Sequence, residues 1–337
     1  MKHIQHMIRK GTGRVLVAGM LIMSLMASML PAYAMTGEVL GPETEGPPSG
    51  VVEINSWDEL LGNFASPNDS QVIEIPAGTT IALTDSIRVP QGTWEINGGG
   101  TLQRGDSFTR EMILMGQDTS LTINNIVIDG QSTSETDRAI YLRSGTLTLE
   151  NTTIRNNKVD GTVSGGAIDN YYGTLNIGQG CLFENNSGED GSAIYVTHGT
   201  TGGVISADGA TFTGNTGDYA IVINTTGNDA SGGNDWGTIQ NCQITNNDGG
   251  IKLTGRVGTY NIEISGNTIS SNSAEEGGGI NVESRFNGEL IIKGNTISNN
   301  TATKGGAIWT DKDITLENNT ITGNEATEAG GAICTTY

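Results

Sequence analysis

The sequence predicts an all-β chain, a right-handed parallel β-helix solenoid with about 27 residues per coil and a short N-terminal capping helix. Three observations carry that prediction. The first is composition: 50 of 337 residues are glycine, 35% are hydrophobic and only 5% aromatic, enough to fill a thin core and too little for a thick globular one. The second is a small residue followed by Ile, recurring at Ala139-Ile140, Ala167-Ile168, Ala193-Ile194, Ala220-Ile221, Gly250-Ile251, Gly279-Ile280, Ala307-Ile308 and Ala332-Ile333. The third lies ahead of each dipeptide, where an Ile or Phe stands three residues before an Asn, as in Phe183/Asn186, Phe212/Asn215 and Ile244/Asn247.

Residues 1–34 read as a secretory signal peptide. Lys2, Arg9, Lys10 and Arg14 precede an apolar run from Val15 to Leu30, and Ala32-Tyr33-Ala34 supplies small residues for cleavage after Ala34. The expected location is therefore secreted or cell-surface, with no membrane span in the mature chain. Residues 35–50 carry three prolines and no apolar periodicity, as a linker does. Residues 51–111 are expected to hold the cap and first coils. Ser56-Trp57-Asp58-Glu59 opens a helix of capping-box type with Trp57, Leu60, Leu61 and Phe64 on one face, and short strands follow at 72–75, 80–83, 87–89 and 93–96.

From 112 to 337 the repeat governs. Alternating strands such as Leu147-Thr148-Leu149 and Ile262-Glu263-Ile264 precede each Ile/Phe…Asn element, giving three short strands per repeat divided by Gly and Asn turns. If each strand pairs with its counterpart one coil away, about 4.8 Å along the axis, equal positions stack into ladders. Inward ladders must then be alike and apolar, as the Ile series is. The repeated Asn is expected at a turn, in left-handed backbone, bonding to the next Asn. A left-handed hexapeptide helix would need coils of roughly 18 residues and does not fit. Cys181 and Cys242 occupy one repeat position with Ala210 between them, roughly 10 Å apart on strand spacing and too far for a disulfide. Thr335-Thr336-Tyr337 stops just past the last ladder Ile, so the repeat reads as truncated there, with an open edge expected to associate end to end.

The pieces Gly165-Gly166-Ala167-Ile168, Gly305-Gly306-Ala307-Ile308 and Gly330-Gly331-Ala332-Ile333, with Phe183-Glu184-Asn185-Asn186 and Phe212-Thr213-Gly214-Asn215, resemble the GGAI and FxxN tetrapeptides of polymorphic outer-membrane protein repeats. The match runs from about 139 to 337, with Ile in place of Phe in most of the FxxN positions. More broadly the chain resembles pectate-lyase-like β-helix proteins. The repeat resemblance implies a bacterial surface or secreted passenger used in adhesion, and implies no reaction.

A net charge of −20 excludes nucleic acid as a partner, since no basic field exists to attract phosphate. The strings NTD, GHG and RIK of galacturonan hydrolases are missing, as are HExxH and GxSxG. His198 is expected as a solvated turn residue. The residues after each ladder Ile should face outward, and Tyr141, Asp169, Tyr195 and Trp309 among them are the candidates for stacking on and bonding to sugars. Asp137, Asp190, Asp218, Asp248 and Glu276, three or four residues ahead of the ladder, form a candidate acidic column, with calcium as the one candidate cofactor. These features favour a binding or structural module of adhesin type, with a glycan or a host or cell-surface protein as partner. The alternative is a carbohydrate-active enzyme, a polysaccharide lyase or glycoside hydrolase, with Asp169, Arg138 and Arg143 as acid/base and charge-neutralising residues.

Overall fold

The computed structural model describes residues 50–65, 71–132, 137–159, 161, 163–199, 202–225, 236–255 and 260–336. The proposed signal peptide and all but the last residue of the linker lie outside them. Every paired strand named here is parallel, and the strands stack into three long sheets that wind as one solenoid. Sheet 1 has eleven strands, from Val51–Glu53 to Thr315–Glu317; sheet 2 has ten, from Thr80–Leu83 to Thr320–Thr322; sheet 3 has ten, from Ile87–Arg88 to Ile333–Thr335. One coil shows the order: Thr146–Glu150 in sheet 1, Thr153–Arg155 in sheet 2, Ile168–Asn170 in sheet 3. The fold is thus the all-β parallel β-helix expected.

The ladder of sheet 3 is longer than the repeat suggested. Ile140 pairs back to Ile113 and Ile113 to Ile87, so ten isoleucines stack from Ile87 to Ile333. All are fully buried or nearly so except the last, Ile333. In sheet 2 the core column includes Phe183 and Phe212, whose rings stack at 4.8 Å and 8°. Identical apolar neighbours one strand apart interlock without voids, which is why the inward positions tolerate so little variety.

Two corners carry the turns. From sheet 2 towards sheet 3, Asn157, Asn186, Asn215, Asn247, Asn272, Asn300 and Asn324 form a continuous amide ladder. Each Nδ2 donates to the next Oδ1 at 2.9 to 3.1 Å, and the same oxygen accepts the backbone N–H of the preceding ladder Asn. The ladder is as expected, but the left-handed residue is not the ladder Asn. It is the residue before it: Asn185 at φ 54°, Asn246 at φ 60°, Ser271 at φ 59°. The left-handed step reverses the chain so that the following Asn points inward, where its amide replaces backbone partners the corner has lost. A second ladder, Asn267-Asn295-Asn319, runs at the corner from sheet 1 to sheet 2 and continues the column of Cys181 and Cys242, both buried free thiols.

The glycines of the GGAI pieces have separate duties. Gly305 sits at φ +66°, and a Cβ on Gly306 would lie 2.4 Å from the carbonyl oxygens of Glu325 and Gly331 in the next coil. Beside this corner a fourth, three-stranded sheet builds up in the last coils, Ser273–Glu276, Thr301–Lys304 and Glu325–Ala329, which the sequence reading did not anticipate.

The cap is the helix Trp57–Phe64. Ser56 caps it by accepting from the Glu59 N–H at 3.4 Å, and the Glu59 carboxylate reaches back to the Asn55 N–H at 2.7 Å. Leu60 and Phe64 are buried, and Phe64 lies 4.9 Å from Trp94. Leu61 is exposed, contrary to the four-residue face expected, while Trp57 is partly buried against the core beside Leu60 and Phe64. His198 is another correction. It ends the strand Ile194–His198, is 5% exposed, and stacks on Tyr260 at 4.0 Å, which covers its ring.

Candidate functional site

The outer face of sheet 3 carries, strand by strand, Arg88, Leu114, Tyr141, Asp169, Tyr195, Val222, Lys252, Asn281, Trp309 and Cys334. At its N-terminal end lies an open groove of about 470 Å³, lined by Arg88, Gln117, Arg143, Tyr171 and Tyr172 among others. The two tyrosines sit on the turn from sheet 3 to sheet 1. Asn170, fully buried, holds that turn: its Oδ1 accepts the Gly173 N–H at 2.8 Å and its Nδ2 donates to the Val204 carbonyl at 3.0 Å. The rings of Tyr171 and Tyr172 lie 4.1 Å apart, and Tyr171 is 40% exposed.

Next to the groove, five of the expected residues come together. Arg138 donates to Asp137 at 2.7 Å and to Asp169 at 2.5 Å, and its guanidinium lies 4.4 Å from the centre of the Tyr141 ring, with Arg143 at 5.9 Å on the same ring. Asp169 is 6% exposed and its Oδ1 has no hydrogen-bond partner. Burial pushes its carboxyl up to about 7; Arg138 opposes that shift, while Asp137 and Asp190 add to it. Burial likewise raises the Tyr141 and Tyr195 hydroxyls, and the Tyr195 oxygen accepts from Asn224 at 2.5 Å. The arrangement offers a carboxyl able to gain or lose a proton near neutrality beside a fixed cation and two phenols.

A buried arginine supports this cluster. Arg104, 2% exposed, donates to the carbonyls of Arg110, Asp137 at 2.8 Å and Arg138 at 3.1 Å, so it ties the backbone that presents Arg138. Sequence reasoning missed both Arg104 and Arg88. Extending the Ile ladder back to Ile87 would have found Arg88 at an outward position; nothing in the repeat marks Arg104.

Other expectations are corrected. Trp309 is on the outer face but buried, so it offers no stacking surface. The acidic residues do not form one column. Asp190 and Glu276 stand four residues before their ladder Ile and Asp137, Asp218 and Asp248 three, and adjacent coils use them differently. Asp218 accepts the Gly191 N–H at 3.2 Å, Asp248 accepts the Gly217 N–H at 2.9 Å, Asp137 holds Arg138, and Glu276 pairs with Lys304 at 3.7 Å. Among the described residues no three His, Cys, Asp or Glu side chains gather closely enough to hold a metal ion.

The family model of the right handed beta helix region matches residues 231–321. The solenoid is right-handed. Among solved structures, the A-module of the mannuronan C-5 epimerase AlgE6 of Azotobacter vinelandii is similar over 86% of this chain and 96% of that one, at 11% identity and a TM-score of 0.37. No curated protein matches the chain. Among the described residues, no helix is long and apolar enough to cross a membrane.

Proposed function

We propose that the protein is an exported β-helix that binds glycan chains on the outer face of sheet 3. The observation that carries this reading is the groove at Arg88, Gln117, Arg143, Tyr171 and Tyr172. Aromatic rings beside arginine and amide donors are what a sugar needs, apolar ring faces to lie on and donors for its hydroxyls. Export rests on the segment ending at Ala34, and a cell-surface, adhesin-like role on the resemblance of the GGAI and FxxN pieces to outer-membrane protein repeats; N-terminal sequencing of secreted material should begin at Met35. A glycan array tests the binding: retention of unchanged polymer, lost in an Arg143→Ala/Tyr171→Ala variant that melts normally, supports the groove. Retention that survives those changes, or adherence only to a cell-surface protein, refutes it.

A second reading, a carbohydrate-active enzyme, is favoured by Asp169, whose carboxyl titrates near 7 beside Arg138. Asp169 would then exchange the proton and Arg138 would neutralise developing negative charge. New reducing ends or unsaturated products that vanish in Asp169→Asn, with binding retained, select this reading over the first.

A further inference from the structure

The groove at Tyr171 is positive on a chain whose 37 acids outnumber its 17 bases. Among the described residues that line it none is acidic, and two, Arg88 and Arg143, are exposed arginines. The acids on and beside the same strands are held by other bases: Asp85 and Glu111 by Arg110 at 3.6 and 3.5 Å, Asp137 and Asp169 by Arg138. Asp118, one residue past Gln117, is not among the lining residues. Neither Arg88 nor Arg143 has an ion pair among the described residues, and Arg143 lies 5.9 Å from the centre of the Tyr141 ring.

Two hydrated arginines alone would mean little. Their placement in a shaped site is the separate observation. Arg88 ends the strand Ile87–Arg88, Arg143 follows Ile140–Leu142 two coils on, and Tyr171 follows Ile168–Asn170 in the coil after that. At about 4.8 Å per coil, the two arginine strands are about 10 Å apart and the groove runs for about 14 Å along the solenoid axis. Its far end is the tyrosine pair, held by the turn that the buried Asn170 fixes and left 40% exposed at Tyr171. A small anion meets one guanidinium there, whereas only a chain of several units reaches from Tyr171 to Arg88. Arginine also separates ligands by charge: to a neutral hydroxyl it is one donor among many, while to a carboxylate or sulfate it makes paired, charge-assisted bonds roughly twice as strong.

We propose that the groove selects acidic glycan chains, with anionic groups on separate sugars held by Arg88 and Arg143 and the sugar at the far end lying on Tyr171. This rests on the glycan reading of the groove and adds the charge of the ligand to it. Carboxylate and sulfate present the same chemistry to a guanidinium, so either supplies that charge. The net charge of −20 repels such a chain from most of the surface and confines attachment to places where, as here, positive charge stands unpaired.

Calorimetry on the full chain at low salt tests the proposal, with cellotetraose, the same tetramer oxidised to glucuronate, the same tetramer sulfated, and free glucuronate as separate probes. The oxidised or the sulfated tetramer should bind about tenfold or more tighter than the neutral one, and which of them does so identifies the anion; free glucuronate should bind about tenfold more weakly than the oxidised tetramer. Binding of the acidic tetramer should weaken with added salt and fall about tenfold in Arg88→Gln and in Arg143→Gln, both melting normally. Charged and neutral tetramers bound equally, with both lost in Tyr171→Ala, would overturn the charge selection and leave the glycan reading in place. Acidic-tetramer binding that survives Arg88→Gln/Arg143→Gln, or free glucuronate that binds as tightly as its tetramer, would overturn the two-arginine site. Failure of every tetramer and of the glycan array to bind would remove the glycan reading and this inference with it.

Discussion

The inner and outer faces of sheet 3 share the same strands and could hardly differ more. Inward, every coil from Ile87 to Ile333 contributes the same residue; outward, one residue on, the ten positions hold Arg, Leu, Tyr, Asp, Tyr, Val, Lys, Asn, Trp and Cys. The inner positions have one task, filling a fixed volume between identical neighbours, and the repeat is the record of that task. The outer positions answer to whatever lies outside the solenoid. Chemistry in this protein is therefore concentrated where the repeat breaks.

The largest expected effect breaks the inner face. Ile251→Asp buries a carboxylate with no partner and should cost about 4 kcal/mol or more, lowering the thermal midpoint steeply or abolishing folding. Lys252→Ala, its outward neighbour, removes a partly exposed pair with Glu283 and a long contact with the Tyr219 ring, and should cost about 1 kcal/mol. Similar losses in the two melts would erase the distinction between the faces.

Next comes the amide ladder, where the inside is polar and still repetitive. Asn215→Ala removes an amide that donates to Phe183 O at 3.0 Å and Asn247 Oδ1 at 2.9 Å and accepts twice from Asn186, leaving buried groups unsatisfied. A loss of about 2 to 4 kcal/mol in urea is expected. Asn185→Gly, at the left-handed residue one coil back, should change stability by only a few tenths of a kcal/mol, roughly the difference between two residues that tolerate positive φ.

A subtler effect sharpens the outer face. The Asp169 carboxyl is raised in the folded chain, so it favours the fold while protonated; that contribution is complete below its unfolded value of 3.8 and is lost as pH rises through about 7. Asp169→Asn lacks the titration. Its melting temperature relative to the unaltered chain should rise between pH 4 and pH 8, and a constant difference would remove Asp169 as a neutral-pH acid. The smallest effect belongs to Cys334→Ser, an outward position near the end of sheet 3, expected to stay within about 0.5 kcal/mol in the same melts.

The coil length, the Ile ladder, the Asn ladder and the N-terminal helix could be read from sequence because each repeats or caps a local pattern, and local patterns have few physical solutions. Even there, assigning left-handed backbone to Asn186 rather than Asn185 shows that periodicity locates a turn only to within a residue. The union of Arg138, Tyr141 and Asp169 was legible in part, since outward alternation put Tyr141 and Asp169 on one face. What sequence could not reveal is how deeply each outward residue is covered. Asp169 and Trp309 read as exposed positions and are buried, His198 read as a turn residue and lies under Tyr260, and the acids that look like one column fall into two registers with different partners. Those outcomes depend on loops and side chains from neighbouring coils, 25 to 60 residues away in the chain. The sequence by itself determined the solenoid because its ladders need only like to meet like. Only the tertiary structure decided the burial of Asp169 and the reach of Arg104 to the Arg138 carbonyl, because each is set by a contact between residues that obey no common period.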